Sequence, residues 1–354
     1  MAGRGEGEAP LAAGGPARHT PVLLTKVLDA LQPRDGARYI DCTFGAGGYS
    51  RAILDAADCQ VLALDRDPHA VEGATGIAAQ YAPRLILKQA RFGDLAEVAQ
   101  EAGFTPADGI VFDIGVSSMQ IDDAERGFSF MRDGPLDMRM SSEGLSAALV
   151  VNSYDEQEIA EIIYVLGEER RSRAIARAIV RRRAEAPFTR TLDLADVIAS
   201  VMPRRHDDPK HPATRSFQAL RLFVNDELGE LGRGLIAAEQ SLGQGGRLAV
   251  VTFHSLEDRI VKTFFTERSG KSAQPSRHLP ASGDQRQPSF SLLSRKAVEP
   301  DETEIAVNAR ARSARLRAGV RTSAPLWSQD FATLGIPTIK AAMGRRGYTT
   351  FTKN

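Results

Sequence analysis

Three aspartates stand at the ends of strand-like runs in the first third of the chain, and a glycine cluster follows the first. The runs are Arg38-Tyr39-Ile40-Asp41-Cys42-Thr43-Phe44-Gly45-Ala46-Gly47-Gly48, Val61-Leu62-Ala63-Leu64-Asp65-Arg66-Asp67 and Gly109-Ile110-Val111-Phe112-Asp113-Ile114-Gly115. Open α/β sheets bind ligands at the carboxyl ends of their strands, so carboxylates and glycines gathered there point to a nucleoside-bearing cofactor. Gly45 and Gly47 match the start of the dinucleotide fingerprint, but Ser50 stands where its third glycine belongs. Asp65 lies at the distance along the chain expected of the acid that accepts ribose hydroxyls, a feature shared by NAD and S-adenosylmethionine proteins. Asp41 tilts the choice. An acid just before the glycine turn is unwelcome beside a pyrophosphate but suits a ligand with an ammonium and a sulfonium, so S-adenosylmethionine is the expected cofactor. A structural turn with an aspartate cap is the plainer alternative.

Asp113 ends the fourth strand-like run, where amino-group methyltransferases usually place an acid or amide followed by Pro-Pro and an aromatic. Here Ile114-Gly115-Val116-Ser117-Ser118 follows instead, which leaves ordinary base stacking there unsupported. Two roles stay open for Asp113: accepting a hydrogen bond from a substrate amine, or binding the ammonium of the cofactor.

These residues need a scaffold, and the pattern supplies one. Val22-Leu23-Leu24 and Val27-Leu28-Leu31 recur at helical spacing, with Pro21 near a first turn. Strand 38–44 leads to helix 48–57, strand 60–65 to helix 68–80, strand 85–90 to helix 94–102, and strand 109–114 follows. Such alternation predicts a parallel sheet covered by helices on both faces. Residues 119–150 show no period and read as a long ordered loop. Helices are expected over 155–186, 191–202 and 216–241, then a strand over 247–253 and late strands over 289–296 and 310–321. The low-hydrophobicity run 269–288 reads as a flexible loop. Residues 1–18 read as a disordered lead-in without a signal peptide, and 323–354 as a peripheral tail.

A chain of 354 residues implies one large domain with an insertion, or two domains. Lys plus Arg and Asp plus Glu both number 45, so no global field draws the chain to polyanions, and nucleic-acid contact would need local basic patches. Cys42 and Cys59 have no metal-type spacing and read as small buried hydrophobes in a reducing cytoplasm. No apolar run approaches the roughly 20 residues that span a bilayer. His206-Asp207-Asp208-Pro209-Lys210-His211 reads as a polar loop, and no metal is expected.

Longer stretches carry a family resemblance. They are His19-Thr20-Pro21-Val22-Leu23-Leu24, Asp113 through Gln120, Glu125-Arg126-Gly127-Phe128-Ser129-Phe130 through Met140, Gly167-Glu168-Glu169-Arg170, His211 through Arg221, and Phe253-His254-Ser255-Leu256-Glu257-Asp258-Arg259 through Lys262. Over about residues 19–320 the chain closely resembles the bacterial ribosomal RNA small subunit methyltransferase H family. The resemblance implies methyl transfer from S-adenosylmethionine to N4 of a cytidine near the decoding site of small-subunit (16S) ribosomal RNA. The implied partner is that RNA or the assembled small ribosomal subunit. It also implies a Rossmann-like class I S-adenosylmethionine-dependent methyltransferase fold over 19–118 plus 214–322, with a mostly helical substrate-recognition insertion at 119–213. The implied cofactor contacts fall on Gly47, Gly48, Tyr49, Asp65, Phe92, Asp113 and Gln120. The family usually has His where Tyr49 stands; a backbone contact survives that change, a role for an imidazole does not.

In this chemistry the sulfonium is already activated, so catalysis is mostly positioning and exclusion of water. The cytosine amine is a poor nucleophile, and an acceptor for its hydrogens favours the reactive geometry. Asp113 is the first candidate for that role and His254 the second, against a His254 hydrogen-bonded only for structure. Arg170, Arg173, Arg177 and Arg181 fall on one side of helix 155–186, either as a solvated face or as phosphate contacts. A methyltransferase for another amine, in DNA or protein, and a catalytically silent RNA-binding ribosome assembly factor are the competing readings.

Overall fold

A computed structural model describes residues 21–202, 211–270, 286–327 and 331–339. The expectations for 1–18, and most of those for 206–211, 269–288 and 323–354, lie outside the described residues.

Seven strands form one sheet: β1 (Arg38–Asp41), β2 (Gln60–Asp65), β3 (Leu85–Gln89), β4 (Ala107–Asp113), β5 (Leu242–Thr252), β6 (Phe290–Leu292) and β7 (Arg315–Arg321). Val61, Leu62, Ala63 and Leu64 are all fully buried, the continuous apolar run of a parallel strand covered on both faces. The strand order is β3-β2-β1-β4-β5-β7-β6. β1 to β5 are parallel, and β7 runs antiparallel between β5 and β6. This is the class I methyltransferase arrangement. The order reverses between β1 and β4, so the ends of those two strands, Asp41 and Asp113, flank the switch-point crevice. The β5 register against β4 shifts after Leu242 and runs regularly from Arg247 to Val251, close to the expected strand.

The helices are α1 (Leu24–Leu31), α2 (Gly48–Ala56), α3 (Pro68–Gly73), α4 (Thr75–Gln80), α5 (Leu95–Glu101), α6 (Ser118–Asp122), α7 (Ala147–Ser153), α8 (Glu156–Gly167), α9 (Ser172–Arg183), α10 (Thr191–Ser200), α11 (Thr214–Val224), α12 (Glu227–Ser241), α13 (Ser255–Arg268) and α14 (Glu302–Val307). Three expected helices divide. The 68–80 helix breaks at Ala74, where ψ is near zero. The 155–186 helix breaks after Gly167, because Glu168 adopts a left-handed conformation (φ 49°) and Gly167 packs against α11. A Cβ at Gly167 would lie 2.7 Å from the Arg215 carbonyl oxygen. The 216–241 helix breaks at Asp226, also left-handed (φ 47°). Across the 155–186 break the apolar face changes side: Ile159, Ile162, Ile163 and Leu166 line one side of α8, and Ile175, Ala176 and Ile179 of α9 would fall nearly opposite on one continuous helix.

The expected loop 119–150 carries α6 and α7 at its two ends. Each starts at a serine cap, Ser117 and Ser146, that accepts a backbone N–H three residues on. The late strands are shorter than expected, and Ala309–Ser313 forms a 3-10 turn ahead of β7.

Two apolar cores lie against the sheet. One joins α1 and α2 through Val27, Leu31, Tyr39 and Ile53. The other is continuous from Ile40 and Phe112 through Val150, Ile162 and Ile179 to Phe223 and Leu235. The helices between β4 and α11 therefore share a core with the sheet. Among the described residues no helix is long and apolar enough to cross a membrane.

Candidate functional site

The turn after β1 is built around Asp41, which is fully buried. Its Oδ1 accepts the Thr43 N–H at 3.1 Å and its Oδ2 accepts the Ser50 hydroxyl at 2.7 Å. Ser50 therefore replaces the fingerprint's third glycine with a donor that holds the strand-end acid. Gly45 and Gly47 have φ of 52° and 74°, where an L side chain is strained. At Gly48 an added Cβ would sit 2.2 Å from Pro21 Cγ, so packing of the N-terminal segment already demands glycine there. Tyr49 is buried, and its hydroxyl donates to the Val22 carbonyl. Its ring faces that segment, which leaves the Tyr49 backbone as the part available to a ligand.

At the end of β2, Asp65 accepts the N–H groups of Gly45 and Asp67, each at 2.8 Å. It therefore fixes the glycine turn and retains lone pairs for further donors. Phe92 begins a 3-10 turn after β3 and packs edge-on against Phe112 with centroids 5.7 Å apart. Gly234 permits this, since a Cβ there would lie 2.9 Å from the Phe92 ring.

Gln120 is buried and spent at both ends. Its Oε1 accepts the Ser117 N–H at 3.1 Å and its Nε2 donates to Asp67 at 2.8 Å. The same Asp67 oxygen accepts from Arg126 Nη1 at 2.8 Å, and Arg126 Nη2 reaches the Arg139 and Met140 carbonyls. Asp67 and Arg126 were not singled out from the sequence. Only their places offered a signal, Asp67 two residues after Asp65 and Arg126 inside the Glu125–Phe130 stretch.

Asp113 occupies the centre. Its N–H donates to Thr43 Oγ1 at 2.7 Å, which ties β4 to the β1 turn. Its Oδ1 is buried with no hydrogen-bond partner. Burial, and then the neighbouring charges of Asp41 and Glu257, push the Asp113 carboxyl up to about 8. Burial likewise raises Asp41 to about 6, against the bonds from Ser50 and Thr43. Two buried carboxyls at a switch point would have their ionised forms stabilised by a positively charged ligand. A pyrophosphate would be repelled; an ammonium or sulfonium fits.

His254 caps α13. Its Nδ1 faces the Glu257 N–H at 3.4 Å, while Glu257 Oε2 accepts the Phe253 and His254 N–H groups at 2.8 and 3.2 Å. His254 Nε2 lies 2.8 Å from Glu257 Oε1, a buried contact between imidazole and carboxylate. Burial raises Glu257, but the charge and side-chain contact of His254, the Arg221 charge and the Phe253 N–H bond outweigh it and hold the carboxyl below its usual range. The charge of Glu257 in turn reaches Asp113. The structure thus gathers Asp41, Asp65, Asp113 and the glycine turn at one sheet edge, with His254 joined to them through Glu257.

The raised Asp113 has a measurable consequence. A carboxyl raised on folding contributes stability that is fully present below its unfolded value of about 4 and is lost as pH climbs through the folded value. Between pH 5 and about 8 the ligand-free wild type is therefore expected to lose thermal stability relative to Asp113→Asn. Differential scanning fluorimetry across that range checks this, and a pH-independent gap in Tm would refute it.

Among known proteins, the family model described as MraW methylase family matches residues 16–322. A ribosomal RNA small subunit methyltransferase H of Parvibaculum lavamentivorans is 57% identical over 328 residues, 92% of this chain and 96% of that protein. The protein of the same name from Xanthobacter autotrophicus is 58% identical over 324 residues, 91% of this chain and 92% of that one. That of Methylocella silvestris is 56% identical over 346 residues, 97% of this chain and 99% of its own.

Proposed function

The chain belongs to the MraW methylase family, and on that premise we propose that it transfers a methyl group from S-adenosylmethionine to N4 of a cytidine near the decoding site of small-subunit ribosomal RNA. One observation supports this above the others: the buried, unpartnered Oδ1 of Asp113 at the switch point, an acceptor that a cationic ligand or an amine satisfies. S-adenosylmethionine supplies a methyl group already activated on a sulfonium. The backbone of Gly47, Gly48 and Tyr49 would line the cofactor, Asp65 would take its ribose hydroxyls and Phe92 would pack on its adenine. Gln120 supports the site through the turn it caps and through Asp67.

Asp113 would hold either the hydrogens of the target amine, so that the nitrogen lone pair faces the methyl group, or the ammonium of the cofactor. It ionises when positive charge arrives beside it. His254, whose Nε2 lies against the buried carboxylate of Glu257, is the second candidate for handling the surplus proton. The segment 119–213, which supplies Gln120 and Arg126, is proposed to recognise the RNA, and the reaction places the protein in the cytoplasm. Its two cysteines are free and buried, as suits that compartment.

The test supplies isotopically labelled S-adenosylmethionine and small ribosomal subunits lacking this modification, or their free RNA. Labelled N4-methylcytidine in the digest is expected. Label only in DNA or protein, or RNA binding with no transfer, would replace the proposal with another amine substrate or a silent assembly factor.

A further inference from the structure

The arginines of the helical segment do different work. Arg182 pairs with Asp193 at 2.9 Å, and Arg183 donates to the Val151 and Tyr154 carbonyls at 2.7 Å, so these two hold α9 to α10 and α7. Arg170 lies in the turn before α9 rather than on the helix. Arg173, Arg177 and Arg181 remain as an exposed row at spacing i, i+4, i+8, opposite the fully buried Ile175 and Ile179. Among the described residues Arg170, Arg173 and Arg181 make no ion pair or side-chain hydrogen bond. Arg177 has only a 3.7 Å contact to Glu156. Its side chain is 71% exposed there, which makes that pair weak.

The row has a defined start. Glu168, in the turn before α9, accepts from Ser255 Oγ at 2.7 Å and from Arg259 at 3.2 Å. Both residues lie in the first turns of α13, the helix that His254 caps. Glu168 thus ties the turn before α9 to the start of α13, and the arginine row opens five residues further on, at Arg173. Four residues of helix advance about 6 Å, a step similar to that between adjacent phosphates of one nucleic-acid strand. In a chain of zero net charge this is a local basic stripe with Glu156 beside its middle residue, and arginine suits phosphate by its planar fork of donors.

We propose that Arg173, Arg177 and Arg181 form a phosphate track for the RNA strand that flanks the target nucleotide. This rests on the RNA methyltransferase reading and extends it to substrate placement. The row carries no sequence information; it sets register and orientation while the crevice holds the base.

The test is the triple variant Arg173→Gln, Arg177→Gln, Arg181→Gln, which keeps good helix formers on an exposed face. Binding to undermethylated small subunits and to their deproteinised RNA is measured across a KCl series, beside cofactor affinity and methyl transfer. Three lost phosphate contacts should make the log–log salt slope shallower by about 2 and weaken RNA binding roughly 50-fold near 0.15 M salt. Cofactor affinity should be unchanged. Unaltered RNA affinity and slope, with methyl transfer intact, would overturn the track and leave the methyltransferase reading standing. A defect toward assembled subunits but not toward their deproteinised RNA would also overturn it, by assigning the row to a ribosomal protein. A wild type that binds RNA without salt dependence and methylates none would sink both.

Discussion

Replacing Asp113 with alanine is expected to lower kcat/KM for methyl transfer roughly 100- to 1000-fold, the range for losing a positioned acceptor or charge from a reaction centre. The side chain ends β4, its N–H is fixed to Thr43, and Oδ1 is buried without a partner. No other described interaction needs that oxygen, so its removal leaves the fold intact. Cofactor affinity, measured by calorimetry, separates its two roles. If Asp113 faces the cofactor ammonium, affinity falls with turnover in both Asp113→Ala and Asp113→Asn, because a neutral amide cannot replace the charge. If it faces the target amine, cofactor affinity holds while kcat falls, and Asp113→Asn recovers part of it by accepting a hydrogen bond. Near wild-type binding and turnover in Asp113→Ala would show that the site lies elsewhere.

Arg126→Met is expected to cost about 3 kcal/mol of stability and to weaken cofactor binding. Asp67 is only 3% exposed and takes charge-assisted bonds from Arg126 as well as the Gln120 amide. Removing one partner of a buried ion pair strands the other charge, at about 3–5 kcal/mol, and the partial exposure of Arg126 places this case at the low end. Arg126 also gathers the Arg139 and Met140 carbonyls, so its loss loosens the loop between α6 and α7 against the β2 end. Urea denaturation of Arg126→Met beside the double variant with Asp67→Asn is the measurement. The double variant should recover much of the loss because no buried charge is left alone. A single-variant cost below about 1 kcal/mol would mean that water or the loop replaces Arg126 at Asp67.

The expected helix 155–186 shows where local pattern misleads. Ile159 and Ile163, and again Ile175 and Ile179, keep i, i+4 spacing within each half, but the 12-residue step from Ile163 to Ile175 puts the second pair out of phase with the first, a shift missed when the stretch is read as one helix. The break is made by Gly167 against Arg215, 48 residues further on, and by a left-handed Glu168. The short helices at 118 and 147 were written more openly, the first in the Ser117–Gln120 capping-box spacing and the second only in the cap residue Ser146, but both are shorter than a window that detects a period.

Much of the site was nevertheless legible along the chain. Strand-end acids and spaced glycines are neighbours in sequence because one β-turn-α unit builds them, so Asp41, Gly45, Gly47 and Asp65 could be read from spacing. Chemical type, an acid at Asp41 just before the glycine turn where a pyrophosphate would be repelled, pointed to a cationic cofactor.

Packing between distant segments decided the rest. It turned Ser50 into the donor that holds Asp41, aimed the Tyr49 ring at Val22, and committed the Gln120 amide to Asp67. It left one Asp113 oxygen without a partner and raised that carboxyl through burial and the Asp41 and Glu257 charges. Residue type and spacing are local properties, but solvation, partner and charge belong to whatever the folded chain brings alongside. That is why the three strand-end aspartates look alike in the sequence, while in the fold Asp41 and Asp65 hold the turn and Asp113 faces the crevice unpartnered.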